Sequence, residues 1–322
     1  YAMYSNTRGQ SNIGLGTSSL FNNTTGYFNI SLGGGSLYAN TTGYGNTVAG
    51  FNAMFLNSTG FENTAIGERA LYANTKGYYN TALGAYSMYL NDSGYYNTAV
   101  GTSALRNNIS GYANTSIGLN SLYNNTTGSS NTATGSFALT SNTTGIQNTA
   151  LGHNSLYSNT SGNYNVATGY FALYNNTTGF NNVAIGNRSM QFNTTGIANT
   201  AVGYRSLTSN TSGLDNTAIG REALYSSSTS NFNTGVGSLT LRANTTGEGN
   251  TALGFQALYS AETADNNTAI GRTSMLNTTT GILNSALGSN SLYANTTGSN
   301  NTAIGSYALR SNSTGTDNTA VG

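Results

Sequence analysis

Apolar and polar positions along this chain fall into columns that recur every seventeen residues. Glycine stands at 16, 33, 50, 67, 84 and onward to 288, 305 and 322, and asparagine precedes each by four residues, nineteen times without insertion or deletion. Numbered from that asparagine, the repeat reads N-T-A-I-G-x-x-A-L-Y-x-N-T-T-G-x-x. Position 9 is Leu or Met in all nineteen copies, from Met3 and Leu20 to Leu292 and Leu309. Position 4 is aliphatic in sixteen, the exceptions being Ala49, Thr134 and Thr168. Positions 3 and 8 are small almost throughout, and position 2 is nearly always β-branched.

The period is too short for helix-pair repeats of about 33 to 47 residues. No apolar stripe follows helical spacing, and each glycine in a helix would cost about 1 kcal/mol. T-A-I instead predicts a very short strand. A-L-Y predicts a second one, and N-T-T-G a turn whose glycine supplies a positive φ. Two short strands and two corners make one coil of a β-solenoid. The predicted fold is therefore all-β, a parallel β-solenoid or β-roll, with positions 4 and 9 inside and residues 1–322 forming one continuous array. Coils spaced by about 4.8 Å would give a rod of roughly 90 Å. Both end repeats match the consensus, where solenoids ordinarily carry atypical caps. The expectation is a segment of a longer fibre.

Identical residues in such a stack lie above one another, so the position-1 asparagines predict an amide ladder. It would run through Asn12, Asn29, Asn46, Asn63, Asn80, Asn97, Asn114, Asn131, Asn148, Asn165, Asn182, Asn199, Asn216, Asn233, Asn250, Asn267, Asn284, Asn301 and Asn318.

Composition sharpens this picture. Only 6% of residues are charged, and proline, cysteine and tryptophan are absent. All charges fall at positions 6, 7, 10, 13, 14, 16 or 17, which marks the solvated corners. The net charge of +1, with no basic run, gives no electrostatic reason to bind nucleic acid or an anionic membrane. No apolar run approaches the roughly 18 residues of a transmembrane helix. An uncharged repeat surface invites association with further copies, as a parallel homotrimer or as an end-to-end or lateral filament.

The repeats "NTAIGERALYANTKG", "NTALGFQALYSAETA" and "NTAIGSYALRSNSTG" resemble those of tail-fibre-domain proteins of phages, bacteria and large viruses. "AIG" followed by a small residue is similar, more distantly, to the head repeats of trimeric autotransporter adhesins. The resemblance implies an elongated extracellular, cell-surface or virion-surface fibre, often trimeric, that spaces or presents an adhesive tip.

Candidate chemistry is sparse. His153, the one histidine, occupies a corner position, and the four aspartates are scattered, so neither a metal site nor a cofactor site nor a catalytic group is expected. Two surface features invite ligands. Position 16 carries Tyr27, Tyr44, Phe61, Tyr78, Tyr95 and Tyr112 in consecutive repeats, a column able to stiffen the corner or to bind surface glycans. Position 12 offers N-x-S/T glycan acceptors at Asn23, Asn40, Asn57, Asn91, Asn108, Asn125, Asn142, Asn159, Asn176, Asn193, Asn210, Asn244, Asn295 and Asn312, with a shifted copy at Asn277. Yet Asn6 and Asn74 persist where Arg8 and Lys76 spoil the acceptor, while Ser227 and Ala261 accompany loss of the turn glycine at Ser230 and Ala264. Asparagine follows the glycine rather than the hydroxyl, which favours a turn role over glycosylation. The leading expectation is a non-enzymatic structural fibre. The rivals are an ice-binding solenoid, suggested by threonine at position 2 in fourteen repeats, and a glycosylated or glycan-binding filament.

Overall fold

The computed structural model describes residues 1–322. The chain is all-β, a parallel β-solenoid in which each seventeen-residue coil carries a single three-residue strand. It comprises two units, Tyr1–Asn163 and Tyr164–Gly322. The first holds strands β1 (Ile13–Leu15) through β9 (Thr149–Leu151), and the second holds β10 (Val166–Thr168) through β19 (Thr319–Val321). Within each unit successive strands pair in parallel with like residues opposite one another. In the first unit Thr64, Ala65 and Ile66 face Thr81, Ala82 and Leu83. In the second Thr200, Ala201 and Val202 face Thr217, Ala218 and Ile219.

Side chains alternate across a strand, so three residues can send only one of two sets inward. The central one wins: Ala65, Ala82 and Ala201 are buried. Position 4 therefore faces solvent, with Ile66 46%, Leu151 48% and Leu253 47% exposed. This corrects the expectation that the aliphatic column lies inside. Of the pair Ile66 and Leu71, only Leu71 is buried.

The expected A-L-Y strand is also absent, because positions 6–11 form consecutive turns. Positions 7 and 9 adopt left-handed backbone, as at Arg69 (φ 52°) and Leu71 (φ 51°) in the first unit and Arg188 (φ 56°) and Met190 (φ 48°) in the second. That conformation costs roughly 1–2 kcal/mol per residue and is hardest on β-branched side chains. Position 9 accordingly uses Leu and Met, never Val or Ile. Its side chain fills the coil and approaches position 3. A methyl placed on Gly14 would come 3.2 Å from Met3 Cγ, and one on Gly235 would come 3.5 Å from Leu224 Cδ1. This close approach keeps position 3 small, and full burial of each Leu contributes about 2–3 kcal/mol.

Turn segments still bond from coil to coil. Leu105 N–H donates to Ser121 O at 2.9 Å, Asn107 N–H to Tyr123 O at 3.0 Å and Ile109 N–H to Thr126 O at 2.9 Å. The strand and corner continue the pattern, with Thr98 N–H to Asn114 O at 2.8 Å and Gly101 N–H to Leu83 O at 2.8 Å. Backbone groups that a corner would leave to water are thus paired with the next coil. The coil is held more by these bonds than by its thin apolar interior of positions 3, 8 and 9.

Candidate functional site

The position-1 asparagines form ladders within both units. Asn46 Oδ1 accepts from the Asn63 backbone N–H at 3.1 Å and from Asn63 Nδ2 at 3.0 Å, while Asn63 Nδ2 also donates to Gly77 O at 2.9 Å. In the second unit Asn199 Oδ1 accepts from Asn216 N–H at 3.0 Å and from Nδ2 at 3.0 Å. One amide side chain therefore ties its own coil's corner and the adjacent coil together, buried away from competing water.

Position 12 forms a second amide ladder. Asn57 Nδ2 donates to Asn40 Oδ1 at 2.7 Å and to Gly60 O at 3.1 Å, and Asn91 Nδ2 donates to Asn74 Oδ1 at 2.7 Å and to Gly94 O at 3.0 Å. Asn23, Asn40, Asn57, Asn91, Asn108 and Asn125 are wholly buried, as are Asn142, Asn159, Asn176, Asn193, Asn210, Asn244 and Asn295. A glycan would have to replace one of the two engaged Nδ2 hydrogens and enter the coil interior. The position-12 acceptors are thus interior braces in the folded chain. Asn277 and Asn312 are the ones left half-buried.

The ladder explains why asparagine follows the glycine of N-T-T-G. Position 15 does not have the positive φ expected for it. A Cβ there would instead lie 2.3 Å from Asn57 Oδ1 and 2.5 Å from Gly77 O at Gly60, and 2.4 Å from Asn210 Oδ1 and 2.3 Å from Ser230 O at Gly213. Asparagine at 12 therefore demands glycine at 15. Where Ser230 and Ala264 supply a Cβ, position 12 is Ser227 and Ala261. Each break leaves a buried amide oxygen without a donor, Asn210 Oδ1 below Ser227 and Asn244 Oδ1 below Ala261. Ser227 Oγ turns aside to bond Ser230 Oγ.

The position-16 aromatics stack as expected. Tyr27, Tyr44, Phe61, Tyr78, Tyr95 and Tyr112 have successive ring centroids 4.9–5.0 Å apart and lie within 9° of parallel. Each inner ring has both faces covered by its neighbours and offers solvent only its edge. A sugar packs on an aromatic face, so this column serves the stiffening role better than glycan binding. Removal of water around the stack raises the Tyr44 hydroxyl above the ordinary tyrosine range, helped by Tyr27, Tyr79 and Glu62.

Sequence reasoning missed a second aromatic column. At position 10, Tyr4, Phe21, Tyr38, Phe55, Tyr72 and Tyr89 stack with centroids 4.8–5.5 Å apart. Arg106 then takes a ring's place, its guanidinium carbon 5.2 Å from the Tyr89 centroid and 5.5 Å from that of Tyr123. Arg242 does the same in the second unit, 5.1 Å from the Tyr225 centroid and paired to Glu222 at 2.8 Å. Its bond to Glu222 raises its pKa further. A flat cation over an aromatic face contributes about 0.5–1 kcal/mol at such exposed sites. The clue was in the sequence: arginine at position 10 follows or precedes tyrosine in that column.

The outward face of the strands is uniform from coil to coil within each unit. It carries the threonine column of position 2 beside the aliphatic column of position 4, with no charge in either. The hydroxyls of Thr24 and Thr194, at position 13, bond carbonyls of the next coil at 3.0 and 2.9 Å. Those of Thr64, Thr81, Thr217 and Thr251, at position 2, have no partner in their own chain. A shallow groove on this face is lined by Thr268, Ile270, Ser285, Leu287, Thr302 and Ile304. His153 is exposed on a corner, its ring 5.9 Å edge-on from Phe137. No family model and no curated protein matches the sequence.

Proposed function

We propose that this chain is a non-enzymatic structural element of an extracellular or surface fibre, related in role to tail-fibre and adhesin shafts, which works by associating with further copies of itself. The carrying observation is the uncharged outward face. Side chains such as Ile66, Ile219 and Leu253 remain 40–47% exposed in a column repeated coil after coil. Contiguous apolar surface of this kind marks interaction sites. The charged residues lie on other corners, where some, such as Arg106 and Arg242, cover aromatic rings. The resemblance of the repeat to tail-fibre repeats supports a place outside the cell. Sedimentation and electron microscopy of the whole chain test the proposal: concentration-dependent growth into filaments is expected, and a monomer at every concentration overturns it.

A second reading has its own observation. Position 2, the ground for ice binding, is threonine in fourteen repeats, with Val166, Val183, Ile13 and Ile30 among the exceptions. In the fold Ile13, Ile30, Thr149 and Thr251 are exposed, while Val166, Val183, Thr64 and Thr217 are half-buried. Thermal hysteresis in the purified chain would establish that reading, and its absence would remove it.

A further inference from the structure

One column of the repeat keeps its chemistry without helping to hold the coil together. Position 14 is Ser or Thr in seventeen of nineteen copies, the exceptions being Arg8 and Lys76. Those residues are exposed in every coil except at the half-buried Ser93. The hydroxyls of Thr42, Thr59 and Thr127 in the first unit, and of Thr195, Thr246 and Thr297 in the second, bond nothing in their own chain. Position 13 is the contrast: Thr41 Oγ1 donates to Ser58 O at 3.0 Å, and Thr126 Oγ1 to Thr143 O at 3.0 Å. Yet that bonded hydroxyl is given up at Asp92, Ile109 and Glu262. The column that bonds is no more constant than the one that does not.

Neither exposure nor backbone shape accounts for this constancy. Position 6 is exposed as well, and it holds Phe51, Glu68, Leu119, His153, Asn187 and Arg221. Lys76 keeps the pairing of the coil, its N–H donating to Asp92 O at 3.0 Å as Thr59 N–H donates to Thr75 O at 3.0 Å. The corner therefore accepts other side chains. Nor is the hydroxyl kept as half of an Asn-linked acceptor, because Thr229, Thr263 and Thr280 persist where position 12 is Ser227, Ala261 and Thr278.

The residue types narrow the chemistry. A surface recognised by hydrogen bonding alone would use Asn, Gln or Asp as readily, and none of them occurs in the column. Ser93, Ser110, Ser161 and Ser212 show that the methyl group of threonine is dispensable. What serine and threonine share is an aliphatic hydroxyl able to accept a transferred group. Phosphate is the wrong group, because about two negative charges per coil at a spacing of about 4.8 Å would repel along the whole column. A neutral sugar avoids that repulsion, and the same spacing is close to the thickness of one pyranose ring. We propose that position 14 is a ladder of O-linked glycan acceptors, each taking a single neutral sugar from a nucleotide-activated donor through a glycosyltransferase. The side-chain oxygen attacks the anomeric carbon, and the bond from that carbon to the donor's phosphate breaks as the new C–O bond forms. The hydroxyl proton passes to a base of the transferase, and the nucleoside diphosphate leaves. Such a column hydrates one corner of a chain in which only 6% of residues are charged. It goes beyond the self-association proposed above and does not rest on it.

The test uses the chain isolated from the organism that makes it, digested and mapped by electron-transfer mass spectrometry, which leaves sugars on their residues. Single-sugar increments are expected on position-14 Ser and Thr, Thr229 and Thr263 included, and alkaline β-elimination should release them. Bare hydroxyls throughout the column overturn the proposal, as do sugars confined to asparagine or to position 13. Phosphate in place of sugar overturns the choice of group. Thr42→Val and Thr195→Val, made in the same organism and checked for fold by circular dichroism, should lose the sugar of their own coil. Thr41→Val and Thr194→Val, one residue away, should keep it. Equal loss in both pairs overturns the assignment of the acceptor to position 14. Filaments formed by a bare chain leave the fibre proposal standing, whereas a glycosylated chain that stays monomeric sinks that proposal and leaves this one.

Discussion

Repairing the broken amide ladder in the second unit should tighten it. The double change Ser227→Asn with Ser230→Gly supplies a donor to Asn210 Oδ1, which is buried and unpaired. It also supplies an acceptor to Asn244 Nδ2, which otherwise donates to Gly247 O at 3.0 Å. Satisfying a buried acceptor is worth about 1–3 kcal/mol and each additional bond about 1 kcal/mol. Against this stand the lost Ser227–Ser230 bond and the entropy of a new glycine, about 0.5–1 kcal/mol. The net gain is about 1–3 kcal/mol. In a repeat array the gain stays local, so the assay is native-state hydrogen exchange at Asn216, Asn233 and their neighbours, with opening expected to slow about 5- to 150-fold. Ser227→Asn alone should gain much less, since the Ser230 Cβ would crowd the new side chain as a Cβ at Gly213 would crowd Asn210 Oδ1 at 2.4 Å. Equal protection in the single and double variants, or none in either, would refute the coupling of positions 12 and 15.

Leu105→Ile keeps volume but puts a β-branched side chain at φ 52°; it should lose about 1–2 kcal/mol by exchange at buried amides, while Leu105→Met stays near neutral. Asn63→Asp removes the Nδ2 donor to Asn46 Oδ1 and Gly77 O and places acceptors together in a buried corner; exchange around coils 46–80 should accelerate by at least 100-fold, roughly 3 kcal/mol. Material secreted by a glycosylating cell should show, by intact mass and peptide mapping, no glycan at Asn57, Asn91 or Asn125. Tyr44 ionises above the ordinary tyrosine range when folded, so its contribution is complete below the unfolded tyrosine pKa of about 10 and is lost as pH rises through the folded value. Ultraviolet titration should show a phenol titrating above the ordinary tyrosine range, absent in Tyr44→Phe.

Period, parallel stacking and the first amide ladder were all readable from columns, because identical residues one coil apart must meet. Burial was harder. Equating apolar with inside misplaced Ile66 and its column, since a three-residue strand has one inward side chain and the interior has room for little beyond Leu71. The second strand was read from β propensity at A-L-Y, whereas the restriction of position 9 to Leu and Met was the trace of left-handed backbone. Asn57 looked like a glycan acceptor because the acceptor pattern and the amide-glycine contact share their first residue. The sequence did carry the correction, in the joint loss of asparagine and glycine at Ser227 and Ser230, but the clash behind it needed coordinates. The position-10 column escaped notice because arginine was taken for a sign of solvent, when here its plane substitutes for a ring.

Within each unit, the linkage of one coil to the next through side-chain columns also governs how such a gene can change. One added or missing residue would throw a whole coil's asparagines, glycines and rings out of line with both neighbours at once. Addition or removal of seventeen residues leaves every column intact. Length is therefore quantised in whole coils, and recombination between near-identical repeats is a ready way to adjust it, one rung at a time.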